Sequence, residues 1–366
     1  KRPKTVVCPV HCAAHVLLLA RVFCKGHDRS MRSMAEASGA TIAAGSLPVL
    51  RVVIASAIDG LATHVRTAFD ASALASTHEL QLDFFTAGES SAEASDVEVL
   101  LADPPKVVSV LDTGFPRLQW LQATFAGVNV IMDKTKRRDY SMTRLSGVFG
   151  DLMAEYVLSH ILQEERGLIA LAAQQKARQW NDGPFRKLRR LNNLTLGVLG
   201  PGSIGQSVAQ RAQGFGMRTL ALKRDGRAVA HFDEVSTELN EVLRRADYIV
   251  NILPSTPSTR GLLSGNALEP CGGAVMINVG RGDVTDEDSI INALDRGWIS
   301  KAILDVFPVE PLPETSRLWT HAKVVVTPHI SAPSYAEDVA RVFVENLVRR
   351  VTGEPLLHSV DWDKGY

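Results

Sequence analysis

The chain carries no surplus of either charge: 40 Lys and Arg stand against 40 Asp and Glu in 366 residues. That balance excludes a global basic field for nucleic acid or an anionic membrane surface. Cysteine is scarce too, with four residues in all and three of them before position 25, which excludes a disulfide scaffold. No apolar run approaches the roughly 18 residues that a membrane-spanning helix needs. What is present is ordinary for a globular protein, with 45% hydrophobic and 22% charged residues, so a mainly disordered chain is excluded as well. The length fits two domains better than one core. Enzymes and small-molecule binding proteins remain.

Residues 1–48 read as a leader, either a targeting segment or disordered. Up to Ala35 the cations are Lys1, Arg2, Lys4, Arg21, Lys25, Arg29 and Arg32, and the lone acid is Asp28. Basic, acid-poor and Ser-containing composition is that of organellar transit peptides, so the expected location is cytoplasmic, or mitochondrial if the leader is such a peptide. The pairs Cys8/His11, Cys12/His15 and Cys24/His27 have the two-residue gap of some zinc sites. The first two pairs are contiguous, which leaves little chain to wrap a tetrahedral ion, and no metal is expected.

From about Leu50 apolar β-branched runs alternate with amphipathic segments. Strands are expected at 51–57, 80–85, 97–102 and 117–124, with a helix over 60–74 and a helical piece after Pro104-Pro105. A single long helix is expected from Asp151 to Gln179. Six more strands follow, at 194–200, 219–224, 248–253, 274–279, 302–307 and 324–327, and a last helix over 334–351 returns toward the first unit. The fold class is therefore α/β, with two doubly wound, Rossmann-like domains and a cleft between them. Residues 49–152 with 331–366 would form the substrate domain and 153–330 the NAD(P)-binding domain.

The first strand of the second unit runs into Gly200-Pro201-Gly202-Ser203-Ile204-Gly205 and then a helix. A G-x-G-x-x-G between strand and helix is the context in which that motif binds a pyrophosphate at the helix N-terminus. At the end of the next strand, where NAD enzymes place an acid for the ribose 2′-hydroxyl, stand Lys223 and Arg224. Two cations suit a 2′-phosphate, so NADP(H) is expected over NAD(H). Asp225 follows directly, and a solvated basic turn is the alternative.

Four segments in order, 196–205, Ile277–Gly282, Leu304–Leu312 and Thr327–Ser331, resemble the signatures of the D-isomer-specific 2-hydroxyacid dehydrogenases. Leu118–Val128 and the closing Val360–Tyr366 resemble the glyoxylate/hydroxypyruvate reductase branch. The resemblance implies reduction of a small 2-keto acid to the 2-hydroxy acid, with Arg281 gripping the carboxylate and His329 as acid and base. Glu310 would orient the imidazole and keep it protonated. It further implies substrate contacts from the backbone of Ala126, Gly127 and Val128. Leu253 and Pro254 would border the adenine, Thr259 would face the phosphates, and Asp305 would bond the nicotinamide amide. Val279, Gly280 and Ser331 complete the expected cofactor contacts. Asn129 stands where many members have Asp. The family forms homodimers, and Glu164–Leu191, with Trp180 and Phe185, is the expected exchange arm; a loop packed on its own domain is the alternative. Rival functions are a dinucleotide-sensing corepressor-like protein without turnover and another dehydrogenase such as a phosphoglycerate dehydrogenase.

Overall fold

A computed structural model describes residues 46–85 and 95–363. The leader calls, including the Cys/His pairs, lie outside the described residues. Two parallel sheets organise the rest. The first contains β1 (Val49–Ala55), β2 (Glu79–Phe84), β3 (Val99–Ala102), β4 (Trp120–Ala123) and β5 (Ser141–Thr143), in the order β2-β1-β3-β4-β5. Its helices include α1 (Leu61–Asp70), α2 (Pro104–Val107) and α3 (Asn129–Lys134). Both faces are covered at its C-terminal half, which is why β1 ends in the unbroken apolar run 52–55. Val52 and Ile54 pack on one side with Trp120, while Val53 and Ala55 pack on the other with Leu100 and Leu121.

The expected long helix is two. α4 (Gly150–Glu165) ends at Gly167, whose φ of 63° closes the turn before α5 (Leu168–Lys176) starts. A left-handed residue cannot continue a right-handed helix, and apolar periodicity runs through such a break unmarked. α4 buries Met153, Val157, Leu158 and Ile161 against the second sheet.

That second sheet contains β6 (Thr195–Leu199), β7 (Arg218–Leu222), β8 (Glu234–Ser236), β9 (Tyr248–Asn251), β10 (Ala274–Asn278), β11 (Ile299–Leu304) and β12 (Val324–Val326). The order is β12-β11-β10-β9-β6-β7-β8, all neighbours parallel, with α6 (Ser203–Gly214), α7 (Leu239–Arg245) and α8 (Glu287–Asp295) on its faces. The chain reverses direction of growth between β6 and β9, the switch point beside whose strand ends sheets of this kind bind ligands. Of its seven strands, the sequence reading lacked β8. The last helix, α9 (Ala336–Thr352), packs on the first sheet as expected, with Phe343 stacked on Trp120 at 5.2 Å between ring centres. No helix among the described residues is long and apolar enough to cross a membrane.

Candidate active site

The expected site residues lie beyond the C-terminal ends of parallel strands, in the loops that follow or, for Ser203, Ile204 and Gly205, in the first turn of α6. In the second sheet the 200–205 loop leaves β6 and enters α6. A Cβ on Gly205 would stand 2.6 Å from the Gly200 carbonyl oxygen, so helix and strand pack too closely for any other residue. Gly202 faces open space, and α6 has no side-chain cap, so the amides at its first turn are available to an anion. These features fit a dinucleotide pyrophosphate.

After β7, the Lys223 ammonium pairs with Asp225, which also binds Arg227. Those two cations hold the Asp225 carboxyl well below the usual carboxylate range. Arg224 is exposed. A 2′-phosphate here would share Lys223 with Asp225. The Thr259 hydroxyl donates to the Pro254 carbonyl at 2.5 Å and accepts from the Thr256 amide at 2.9 Å. It shapes the 254–260 turn.

His329 and Glu310 meet. The ring Nδ1 is 2.8 Å from a Glu310 carboxylate oxygen, and the other oxygen accepts from the Phe307 amide at 2.9 Å. Burial pushes the Glu310 carboxyl up, but the bonds from His329 and Phe307 and the charges of His329 and Arg281 together bring it below its ordinary value. The carboxylate stays ionised beside a ring that is 54% exposed and open to the cleft. His329 has φ 53°, a conformation that costs a residue with a Cβ roughly 1–3 kcal/mol. Asp305 holds it there. This fully buried carboxylate accepts from the Thr327 hydroxyl at 2.5 Å and from the Ile330 and Ser331 amides at 2.9 Å each, while its carbonyl accepts from the His329 amide at 2.9 Å. Asp305 thereby ties the end of β11 to the His329 loop. Tyr156 of α4 extends the chain, 2.6 Å from Thr327 Oγ1, its hydroxyl pushed up to about 12 by burial.

Arg281 follows β10 and is largely buried. Nη1 donates to the Gly280 carbonyl at 2.6 Å and Nε to Asn129 Oδ1 at 3.3 Å, and neither partner is charged. Burial lowers the guanidinium below its ordinary range, opposed by the fields of Asp283 and Glu310. Across from it lies the 126–128 loop at the end of β4. A Cβ on Gly127 would fall 2.2 Å from Arg281 Nη2, so any larger residue there would displace the guanidinium from its present seat. The 126–129 segment of the first sheet and Arg281 of the second therefore lie against one another.

Several residues here carry no motif. Asp103, buried at the end of β3, accepts from the Ser56 hydroxyl at 2.7 Å, the Ala57 amide at 2.6 Å and the Thr124 hydroxyl at 2.6 Å. It gathers the ends of β1, β3 and β4. Buried Asn251 donates to Asn278 Oδ1 at 2.8 Å, and Asn278 Nδ2 donates to the Arg281 carbonyl at 3.1 Å, fixing the start of the Arg281 turn. An Asn or Asp closing a strand is the available signal, and it is too common to stand out alone.

Residues 158–331 match the model of the D-isomer specific 2-hydroxyacid dehydrogenase NAD binding domain. A D-isomer specific 2-hydroxyacid dehydrogenase family protein from Aeromonas salmonicida is 37% identical, with 87% of this chain and 100% of that one covered at a TM-score of 0.76. This chain belongs to that family. It is thereby an NAD(P)-dependent oxidoreductase acting on a CH–OH group. The dehydrogenase is also similar to a family member from Xanthobacter autotrophicus solved with NADPH and MES, at 31% identity, 88% and 100% coverage and a TM-score of 0.76. An NADPH-dependent glyoxylate/hydroxypyruvate reductase from Sinorhizobium meliloti, solved with NADP and sulfate, matches at 26% identity, 86% and 99% coverage and a TM-score of 0.74.

Proposed function

We propose that the chain reduces small 2-keto acids, glyoxylate and hydroxypyruvate foremost, to 2-hydroxy acids with NADPH. The observation that carries this is Arg281: a largely buried guanidinium whose hydrogen-bond partners are neutral, set against the Gly127 backbone. A desolvated cation without a paired carboxylate is a binding site for one. Arg281 and the amides of the 126–128 loop hold the substrate carboxylate, bidentately at the guanidinium. When bound, NADPH supplies the hydride. His329 gives its proton to the forming alkoxide, and Glu310, 2.8 Å from Nδ1, orients the ring so that Nε2 is left for the substrate. Asp305 and Thr327 preorganise the loop that carries the imidazole. The first sheet with α9 serves as substrate domain, residues 49–152 and 331–366, and residues 153–330 serve as cofactor domain.

The choice of NADPH rests on Lys223 and Arg224, and on neighbours from Xanthobacter, Rhizobium etli and Sinorhizobium that were solved with NADPH or NADP. Replacing both cations by neutral residues should weaken NADPH about ten-fold or more and leave NADH nearly unchanged, since a charge-assisted hydrogen bond is worth about 1.5–3 kcal/mol. Kd values for both cofactors check this, and equal losses would refute it.

The chain acts as a homodimer in this reading. α5 buries none of its residues, Leu168 and Ile169 are about half exposed, and Trp180 is 99% exposed. A nine-residue helix is marginal on its own in water, so an apolar one with no buried face calls for a covering surface. Light scattering at micromolar concentration should give twice the chain mass; a monomer would rule the arrangement out. The function itself is tested by NADPH oxidation with a panel of 2-keto acids. Turnover of glyoxylate and hydroxypyruvate is expected. Absence of turnover with every keto acid would favour a dinucleotide-sensing role, and preference for a phosphorylated substrate a different dehydrogenase.

A further inference from the structure

α3 meets the loops of the second sheet along one face. Asn129 and Asp133, four residues apart, project together. Asn129 Nδ2 donates to the Ser255 carbonyl at 3.1 Å and its Oδ1 accepts from Arg281 Nε at 3.3 Å. The Asp133 carboxylate accepts from Arg260 Nη2 at 3.2 and 3.3 Å. Arg260 reaches further: Nε donates to Ser255 Oγ at 3.0 Å and lies 3.2 Å from Asp283 Oδ2, the oxygen to which Ser255 Oγ also donates. The second oxygen of Asp283 is buried and has no hydrogen-bond partner.

Asp283 stands two residues beyond Arg281, and its negative charge acts on that guanidinium. Left uncompensated, it would be a fixed anion competing with a substrate carboxylate for the same cation, in a site where burial strengthens the interaction. Arg260 supplies the compensating charge. Its bond to Asp133 also spans the two sheets, and on the same helix face Asn129 holds Nε of Arg281. The Arg260–Asp133 pair is about half exposed on both sides and by itself contributes little. The compensation of Asp283 is therefore the larger effect.

We propose that Arg260 is a positioning residue for keto-acid reduction: it offsets Asp283 and ties α3 to the dinucleotide-binding sheet, so that Arg281 meets the substrate carboxylate with its charge undivided. This rests on the reading above that Arg281 binds a carboxylate. The test uses the full chain with NADPH and records kcat and KM for glyoxylate, the Kd of NADPH, and the Kd of oxalate for the NADPH complex. Arg260→Ala should raise the glyoxylate KM and the oxalate Kd about ten-fold while NADPH affinity stays within about two-fold. Adding Asp283→Asn to that variant should recover most of the loss, because the uncompensated charge is gone. Arg260→Lys, which keeps the charge without the fork, should fall between wild type and Arg260→Ala, and Asp133→Ala should move KM no more than about three-fold. An unchanged KM in Arg260→Ala overturns the proposal. So does a double variant no better than the single one, or a parallel loss of Tm and NADPH affinity that Asp283→Asn does not relieve. If the wild-type chain neither reduces glyoxylate nor binds oxalate, the functional reading fails and this falls with it; turnover by wild type with Arg260→Ala unmoved overturns this inference alone.

Discussion

His329→Ala should slow keto-acid turnover by about 10²–10⁴ while NADPH still binds, because the imidazole moves a proton and does not hold the cofactor. Stopped-flow turnover and a cofactor titration on the same sample separate the two effects. Near-normal turnover with glyoxylate and hydroxypyruvate would sink the assignment. Glu310→Gln tests the pair itself. Its carboxyl sits below its ordinary value, burial being outweighed by the bonds from His329 and Phe307, so it is an anion at neutral pH. One of its oxygens lies 2.8 Å from His329 Nδ1 and sets the orientation of the ring. Replacing the carboxylate by an amide should lower kcat by about ten-fold or more while NADPH affinity stays close to wild type. An unchanged kcat would contradict the role of the pair.

Arg281→Lys should raise the keto-acid KM by roughly 10–100-fold and lower kcat as well, because a point charge cannot reproduce a planar two-bond grip. Buried lysine also loses its proton more readily than arginine, so the loss should deepen as pH rises, which an Arg281→Lys pH profile reads directly. NADPH affinity should stay close to wild type. A variant with unchanged KM would mean that the carboxylate is held elsewhere. The crowding of Gly127 against Nη2 sharpens the expectation: the guanidinium is confined between the loop and the Gly280 carbonyl, leaving a shorter, rounder cation without the same seat.

Much of this site was legible before any coordinates. Alternating apolar and amphipathic stretches mark parallel α/β units, since strands covered on both faces read as continuous runs such as 51–55 and 274–279. The Gly200–Gly205 turn, the basic pair after β7, and the ordered segments around Arg281, Glu310 and His329 are local in the chain, and a short motif can report local chemistry. Of the three three-residue strands, β12 is legible as an unbroken run of valines, whereas β5 and β8 are too short and too polar to stand out. The break at Gly167 is hidden because the hydrophobic pattern continues through it.

What the chain alone determined is therefore the fold class and the family, and it named the glycine turn and the side chains proposed to react, all in spacings of a few residues. Tertiary structure decided which distant groups hold those side chains. Asp305 braces the strained His329 backbone, Asp103 collects three strand ends near the 126–128 loop, and Asn129 and Arg260 reach partners 152 and 127 positions away. The physical reason is that a hydrogen bond depends on position in space to within a few tenths of an ångström, and residues so far apart in sequence share no pattern that their own neighbours could reveal.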